Sequence, residues 1–166
     1  MPATYEKIQT YTLSSATSSI DFTSIPATYT DLRLVVVGTI ANANYDVVMR
    51  FNSDTGSNYS FTYLGGTGSA ANTGRGISTT NIQLNAGAGW STTIPSMAAV
   101  DIFSYAGSTY KTILNLLSND KNGSGSVNAI VGLWRNTSAI TSVSVIGSST
   151  NLQTGTTATL YGILKA

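Results

Sequence analysis

The sequence predicts an all-β domain folded as an antiparallel two-sheet β-sandwich of jelly-roll-like type. The first observation is a period of two: in residues 45–51 (YDVVMRF) the odd positions are all apolar or aromatic, whereas Asp46 and Arg50 occupy even positions, as in a strand with one buried face. The second is a series of turn signals, such as Gly65-Gly66 and Asn122-Gly123, at the intervals expected of a sandwich or barrel. The third is that no segment carries a convincing helical i, i+3, i+4, i+7 stripe.

These patterns predict eleven short strands within one domain spanning residues 1–166. So many strands exceed what one open sheet usually holds, and two packed sheets are the simplest arrangement. Residues 65–77, with five glycines among small polar residues, are expected to form a flexible glycine-rich loop. The predicted strands lie near residues 6–13, 18–22, 31–39, 45–52, 59–64, 78–84, 97–105, 111–118, 127–135, 141–147 and 156–164.

The last predicted strand is apolar on both sides, which indicates either a central strand or a strand at a subunit contact. Its residues Leu160, Tyr161 and Ile163 are therefore candidates for self-association. Little surface charge also favours association, and closed symmetry makes a homotrimer or homodimer the expected product.

Composition excludes several classes of function. The 166 residues contain no histidine and no cysteine, seven acids and eight bases, with a formal net charge of +1, against 47 serines and threonines. Nucleophilic hydrolysis lacks its usual base, and thiolate or imidazole metal sites cannot form. The bases are scattered, which argues against nucleic-acid binding, and no apolar run approaches the length that spans a bilayer. We expect no enzyme activity, no catalytic residue, no metal and no cofactor.

Two local patterns resemble binding sites. Residues 52–58 carry oxygen-bearing side chains at alternate positions, as calcium loops do, but they lack the second and third carboxylates and the bidentate acid, so a hairpin loop is favoured. Trp90, Tyr59 and Tyr63 lie in or beside polar segments and could stack on a sugar. Packing in the core or at a subunit contact is the favoured interpretation, because aromatic residues usually serve burial.

Several stretches resemble small virion proteins of tailed bacteriophages, including phages of cyanobacteria and other aquatic bacteria. They are residues 1–8 (MPATYEKI), 24–34 (SIPATYTDLRL), 50–60 (RFNSDTGSNYS), 131–135 (VGLWR) and 155–163 (GTTATLYGI). The motifs are structural signatures without chemistry of their own.

The resemblance implies a β-sandwich carried on a virion that is assembled in the host cytoplasm. Capsid decoration (cement) proteins, fibres and receptor-binding tips all use such sandwiches. The chain shows no fibre-like repeat or coiled-coil heptad, so a decoration protein that binds the major capsid protein and copies of itself is favoured. The alternative is a carbohydrate-binding receptor-recognition or tail-fibre domain, which would bind a host-surface glycan through Trp90, Tyr59 and Tyr63.

Overall fold

A computed structural model describes residues 4–164. Within that span the regular structure consists of β-strands, and no helix is long and apolar enough to cross a membrane. The twelve strands are β1 (Tyr5–Thr12), β2 (Ser19–Phe22), β3 (Asp31–Gly38), β4 (Val47–Phe51), β5 (Tyr59–Gly66), β6 (Ala71–Thr79), β7 (Ile82–Gln83), β8 (Ser96–Phe103), β9 (Lys111–Asp120), β10 (Gly125–Trp134), β11 (Val143–Gly147) and β12 (Thr157–Ile163).

The strands form two sheets packed on one core. The large sheet has the order β1-β12-β3-β8-β9-β10-β5-β6, and the small sheet has the order β2-β11-β4-β7. Every neighbouring pair is antiparallel. The predicted all-β, antiparallel two-sheet sandwich is therefore confirmed, and the finer jelly-roll assignment stays a prediction.

The core follows the period-two pattern. In β3 the side chains of Leu32, Leu34 and Val36 are fully buried, and the residues between them are partly exposed. At one end of the sandwich Phe51 of β4, Tyr59 of β5 and Trp134 of β10 pack together, with ring centroids 5.5–6.4 Å apart. These three strands come from both sheets, so the aromatic cluster ties the layers together.

The structure corrects the prediction of a flexible loop at residues 65–77. These residues form the end of β5, a tight turn and most of β6, which pairs with β5. Their glycines make room for rings on the inner face: a Cβ at Gly74 would lie 2.7 Å from Tyr63 Cε1, and one at Gly76 would meet the Phe61 ring. The glycines therefore serve close packing, and the predicted strand at 78–84 divides into the end of β6 and the short β7.

A ladder of asparagines supports the segment at residues 84–90. This segment lies against the inner side of the large sheet, and each amide hydrogen bond below joins an Asn Nδ2 to a carbonyl oxygen of that segment. Asn115 Nδ2 donates to Leu84 O at 2.7 Å, and Asn119 and Asn128 donate to the carbonyls of Gly89 and Ala86. All three asparagines are buried. In the sequence, these asparagines occupy positions in β9 and β10 that the period of two assigns to the inner face. The strand pattern alone does not predict which groups they bind.

Candidate functional site

The most prominent surface feature is the outer side of the large sheet, which faces away from the small sheet. Cross-strand partners share a face of a sheet. The registers place one apolar row across five strands, in the order Val35, Ala99, Leu116, Ala129 and Leu64. Large and small side chains alternate along this row.

Neighbouring rows extend the apolar surface on both sides of the first. Leu64 is 61% exposed, Leu116 49%, Val127 63% and Val131 52%, so the central strands leave large apolar side chains in contact with solvent. Monomeric soluble proteins rarely expose contiguous apolar patches of more than a few hundred Å². We call this surface the outer apolar face; its residues are Val35, Val37, Leu64, Met97, Ala99, Phe103, Leu114, Leu116, Val127, Ala129, Val131 and Leu133.

One ion pair lies within the outer apolar face, on its β3–β8 side, where Asp101 stands between Ala99 and Phe103 and opposite Leu114. From Thr112 to Ser118 of β9 and from Val127 to Leu133 of β10, the outward-facing residues are apolar or hydroxyl-bearing, and Asp120 lies at the end of β9. Arg33 of β3 and Asp101 of β8 form an ion pair, with Nη1 to Oδ1 at 3.0 Å, and both side chains are partly exposed. Because the two charges neutralise each other, this side of the face carries no net charge.

The strand predicted to mediate self-association lies inside the large sheet. β12 pairs with β1 on one side and with β3 on the other, so its backbone is not free to pair with another chain. Leu160 is fully buried in the core, which removes it as a contact residue. Tyr161 and Ile163 face outward and are partly exposed, and the Tyr161 ring packs edge-on against Tyr5 at 6.4 Å. Burial in the core accounts for Ala158 and Leu160, whereas Tyr161 and Ile163 belong to the outer side of the sheet.

Two of the three aromatic residues considered for glycan contact are fully buried. Trp90 donates its indole Nε1–H to the carbonyl oxygen of Gly38 at 2.8 Å. Tyr59 lies in the aromatic cluster, and its hydroxyl accepts a hydrogen bond from the backbone N of Phe51 at 3.1 Å. Tyr63 is half-buried against Gly87. These rings therefore do not form a shared platform on which a sugar could stack, and packing explains them.

The loop that resembles a calcium site is held by protein donors. The Asp54 carboxylate accepts hydrogen bonds from Trp134 Nε1 at 2.7 Å, Asn58 Nδ2 at 2.9 Å and the Gly56 backbone N at 2.8 Å. Burial alone would raise the pKa of Asp54, but the bonds from Trp134, Asn58 and Gly56 hold this pKa below its ordinary value. In the described part of the chain, no cluster of three acidic, histidine or cysteine side chains could hold a metal ion. Asp54 therefore acts as a structural acceptor that ties the loop to the core.

The structure also buries a lysine. Lys111 is fully buried on the inner side of β9, and its Nζ donates to the carbonyl oxygens of Gly107 (2.7 Å), Thr109 (2.5 Å) and Thr137 (3.4 Å). Burial lowers the pKa of Lys111. With its ammonium group occupied by backbone acceptors, Lys111 joins two loops and has no free surface for a substrate.

Alkaline pH tests the burial of Tyr59. Burial is the main cause that raises its pKa to about 12, above the ordinary value near 10. The folded state then binds the phenolic proton more tightly than the unfolded state, so this contribution is fully present below about pH 10 and is lost as pH rises toward about 12. We expect the free energy of unfolding, measured by urea titration, to fall less steeply in that window in Tyr59→Phe than in the unmodified protein.

The control is Tyr110→Phe, because Tyr110 is 54% exposed. This variant should keep the full alkaline slope. The pKa values of Tyr29 and Tyr105 are also raised, chiefly by burial, so Tyr59→Phe should reduce the slope without abolishing it. Equal slopes for Tyr59→Phe and the unmodified protein would contradict the assignment.

No family model, no curated protein and no solved structure matches the chain.

Proposed function

We propose that this chain is a structural protein of a bacteriophage particle, most specifically a capsid decoration protein that binds and stabilises the outer shell of the head. The observation that carries the proposal is the outer apolar face. A surface of this kind is costly to leave in water and is typical of protein–protein contacts. The outer apolar face supports a role in assembly. The resemblance to small virion proteins indicates that the assembly is a phage particle.

The rest of the molecule is consistent with an assembly role. The polar groups described above are occupied within the fold: Asp54 accepts hydrogen bonds from Trp134, Asn58 and Gly56, Lys111 joins two loops and the asparagines support residues 84–90. Each therefore stabilises the domain itself, and none of them is left free to act on a substrate. The alternative, a glycan-binding tip, loses Trp90 and Tyr59 as contact residues, because both are fully buried.

The number of copies per particle tests the proposal. We expect quantitative mass spectrometry of purified virions to find this chain at hundreds of copies, in a fixed ratio to the major capsid protein, because decoration proteins occupy the symmetric positions of a shell. A handful of copies would place the chain on the tail, neck or fibres. Its absence from purified virions would overturn the proposal of a virion protein altogether.

Rebinding gives a second measurement. Purified protein added to stripped or expanded capsids should bind at a stoichiometry fixed by shell symmetry and should raise the temperature at which the particles release DNA. Many weak contacts on one shell reinforce one another through avidity, so binding should persist through washing. Particles that neither bind the protein nor gain heat resistance would contradict a decoration role.

A further inference from the structure

We infer that the outer apolar face is the contact between two copies of this chain, packed sheet against sheet about a two-fold axis. The inference deepens the proposed function, because it names the occupant of the face, and it rests on the proposed assembly role. It moves the centre of self-association away from the C-terminal strand, whose Leu160 is buried, and keeps only the outward-facing residues of that strand at its edge.

The size of the face matches what a dimer needs. With strands about 4.8 Å apart and about 3.4 Å of rise per residue, five strands and roughly seven residues along each cover about 570 Å² of flat area. Two such faces bury about 1,100 Å² in total before side-chain relief is counted, which approaches the lower bound of about 1,200 Å² for specific interfaces. On β12, Thr159 lies opposite Val35 and the partly exposed Tyr161 lies opposite Arg33, so this strand extends the contact at its edge.

The alternation of long and short side chains makes the outer apolar face complementary to a second copy of itself. Along the central row, Ala99 and Ala129 lie on either side of Leu116, so short side chains form hollows beside a long one. In a face-to-face pair, the Leu116 side chain of each copy can enter a hollow of the other. A two-fold contact requires one patch to fit its own copy, and aligned sheets pack in this manner with their strands about 30° apart.

The distribution of charge also favours a second copy. The centre of the face presents apolar or hydroxyl-bearing side chains, so pairing does not bury an unpaired ion, which would cost several kcal/mol. Arg33 and Asp101 lie within the face, beside Ala99 and Leu114, and already neutralise each other, so a second copy would cover a paired ion and not a lone one. The formal net charge of +1 adds little repulsion between two copies. A strongly charged partner would find no complementary charges at the centre.

Sedimentation equilibrium of the full chain tests the inference without any phage particle. We expect the unmodified protein to be a dimer at micromolar concentration. Leu116→Lys places a charge at the centre of the face and should weaken dimerisation by about a hundredfold or more, because the ammonium would have to be buried unpaired. Since Leu116 is 49% exposed in the protomer, the variant should fold, as its circular dichroism spectrum would show.

The matched control is Ser144→Lys, on β11 of the small sheet. Ser144 is paired with Asp21 and Arg50 and lies on the opposite side of the sandwich, so this variant should stay dimeric. A monomeric unmodified protein, a trimer, or a dimer that Leu116→Lys leaves intact would overturn the inference. The proposed function can fail separately. If Leu116→Lys disrupts the dimer but the chain is absent from purified virions, the dimer contact stands and the decoration role is wrong.

Discussion

Replacement of Asn115 by aspartate should unfold the protein, or nearly so, at neutral pH. Asn115 is fully buried, its Nδ2 donates to Leu84 O at 2.7 Å, and its Oδ1 has no hydrogen-bond donor within residues 4–164. A carboxylate at this position cannot donate to the Leu84 carbonyl and would bring an ion into a site without a counter-charge. Such burial costs several kcal/mol, a large part of the roughly 5–15 kcal/mol that stabilises a typical domain.

The destabilisation should depend on pH in a defined direction. Burial raises the pKa of the introduced carboxyl above its value in the unfolded chain, so the folded variant binds a proton more tightly than the unfolded variant. Its stability should therefore recover, relative to the unmodified protein, as pH falls toward the unfolded pKa. Urea denaturation followed by tryptophan fluorescence at neutral and at mildly acidic pH measures the difference.

Two further variants separate charge from the lost hydrogen bond. Asn115→Leu leaves the Leu84 carbonyl without its donor but adds no charge, and should cost about 1–3 kcal/mol with no such pH dependence. Asn151→Asp makes the same chemical change at an exposed position and should have little effect. If Asn115→Asp is no worse than Asn151→Asp, then the asparagine ladder does not support residues 84–90 in the way the structure indicates.

Most of the fold could be predicted from local sequence patterns. The alternation of Leu32, Leu34 and Val36 with less buried residues places β3 where it was predicted, because a strand with one buried face imposes a period of two. Turn residues such as Asn122 and Gly123 have positive φ angles of 62° and 91°, and they separate β9 from β10 as expected. These signals act within a few residues, so the sequence expresses them directly.

Contacts between distant strands could not be predicted in the same way. An apolar run such as residues 129–134 fits a strand buried on both sides, yet Ile130 faces the core whereas Val131 is 52% exposed. Which face of a strand is covered by the other sheet depends on the order of the strands and on the packing of the two sheets. That order cannot be read from local patterns in a single sequence. The same holds for β6. Its glycines predict a loop when the segment is considered alone, because the rings of Tyr63 and Phe61 that they accommodate belong to another strand, β5.

The outer apolar face could not be predicted from the sequence for a related reason. The sequence favours Leu160, Tyr161 and Ile163 for self-association because the apolar character of that segment is continuous along the chain. The outer apolar face instead collects single residues from five strands, such as Val35, Leu116 and Leu64. No segment of the sequence carries it alone, and it becomes visible only when the strand registers align these residues in rows.

The other large effect is expected for Trp134→Ala. The indole is fully buried, packs against Phe51 and Tyr59 at 5.5 and 6.3 Å, and donates Nε1–H to Asp54. Removal of a buried tryptophan ring costs about 3–5 kcal/mol because the cavity closes only in part. The ring also joins β10 of the large sheet to β4 of the small one, so we expect a large drop in the midpoint of thermal unfolding, measured by calorimetry.

Trp134→Phe separates the ring from its hydrogen bond, because phenylalanine keeps much of the volume and loses the Nε1–H. Burial would raise the pKa of Asp54, and the bonds from Trp134, Asn58 and Gly56 hold it low. A depressed folded pKa contributes stability above the unfolded pKa, which is lost as pH falls through the folded pKa. Without the Trp134 donor the folded pKa should rise, so the free energy of unfolding of Trp134→Phe should depend less on pH in that acidic window. An unchanged acid dependence would show that the indole contributes to this end of the sandwich by packing alone.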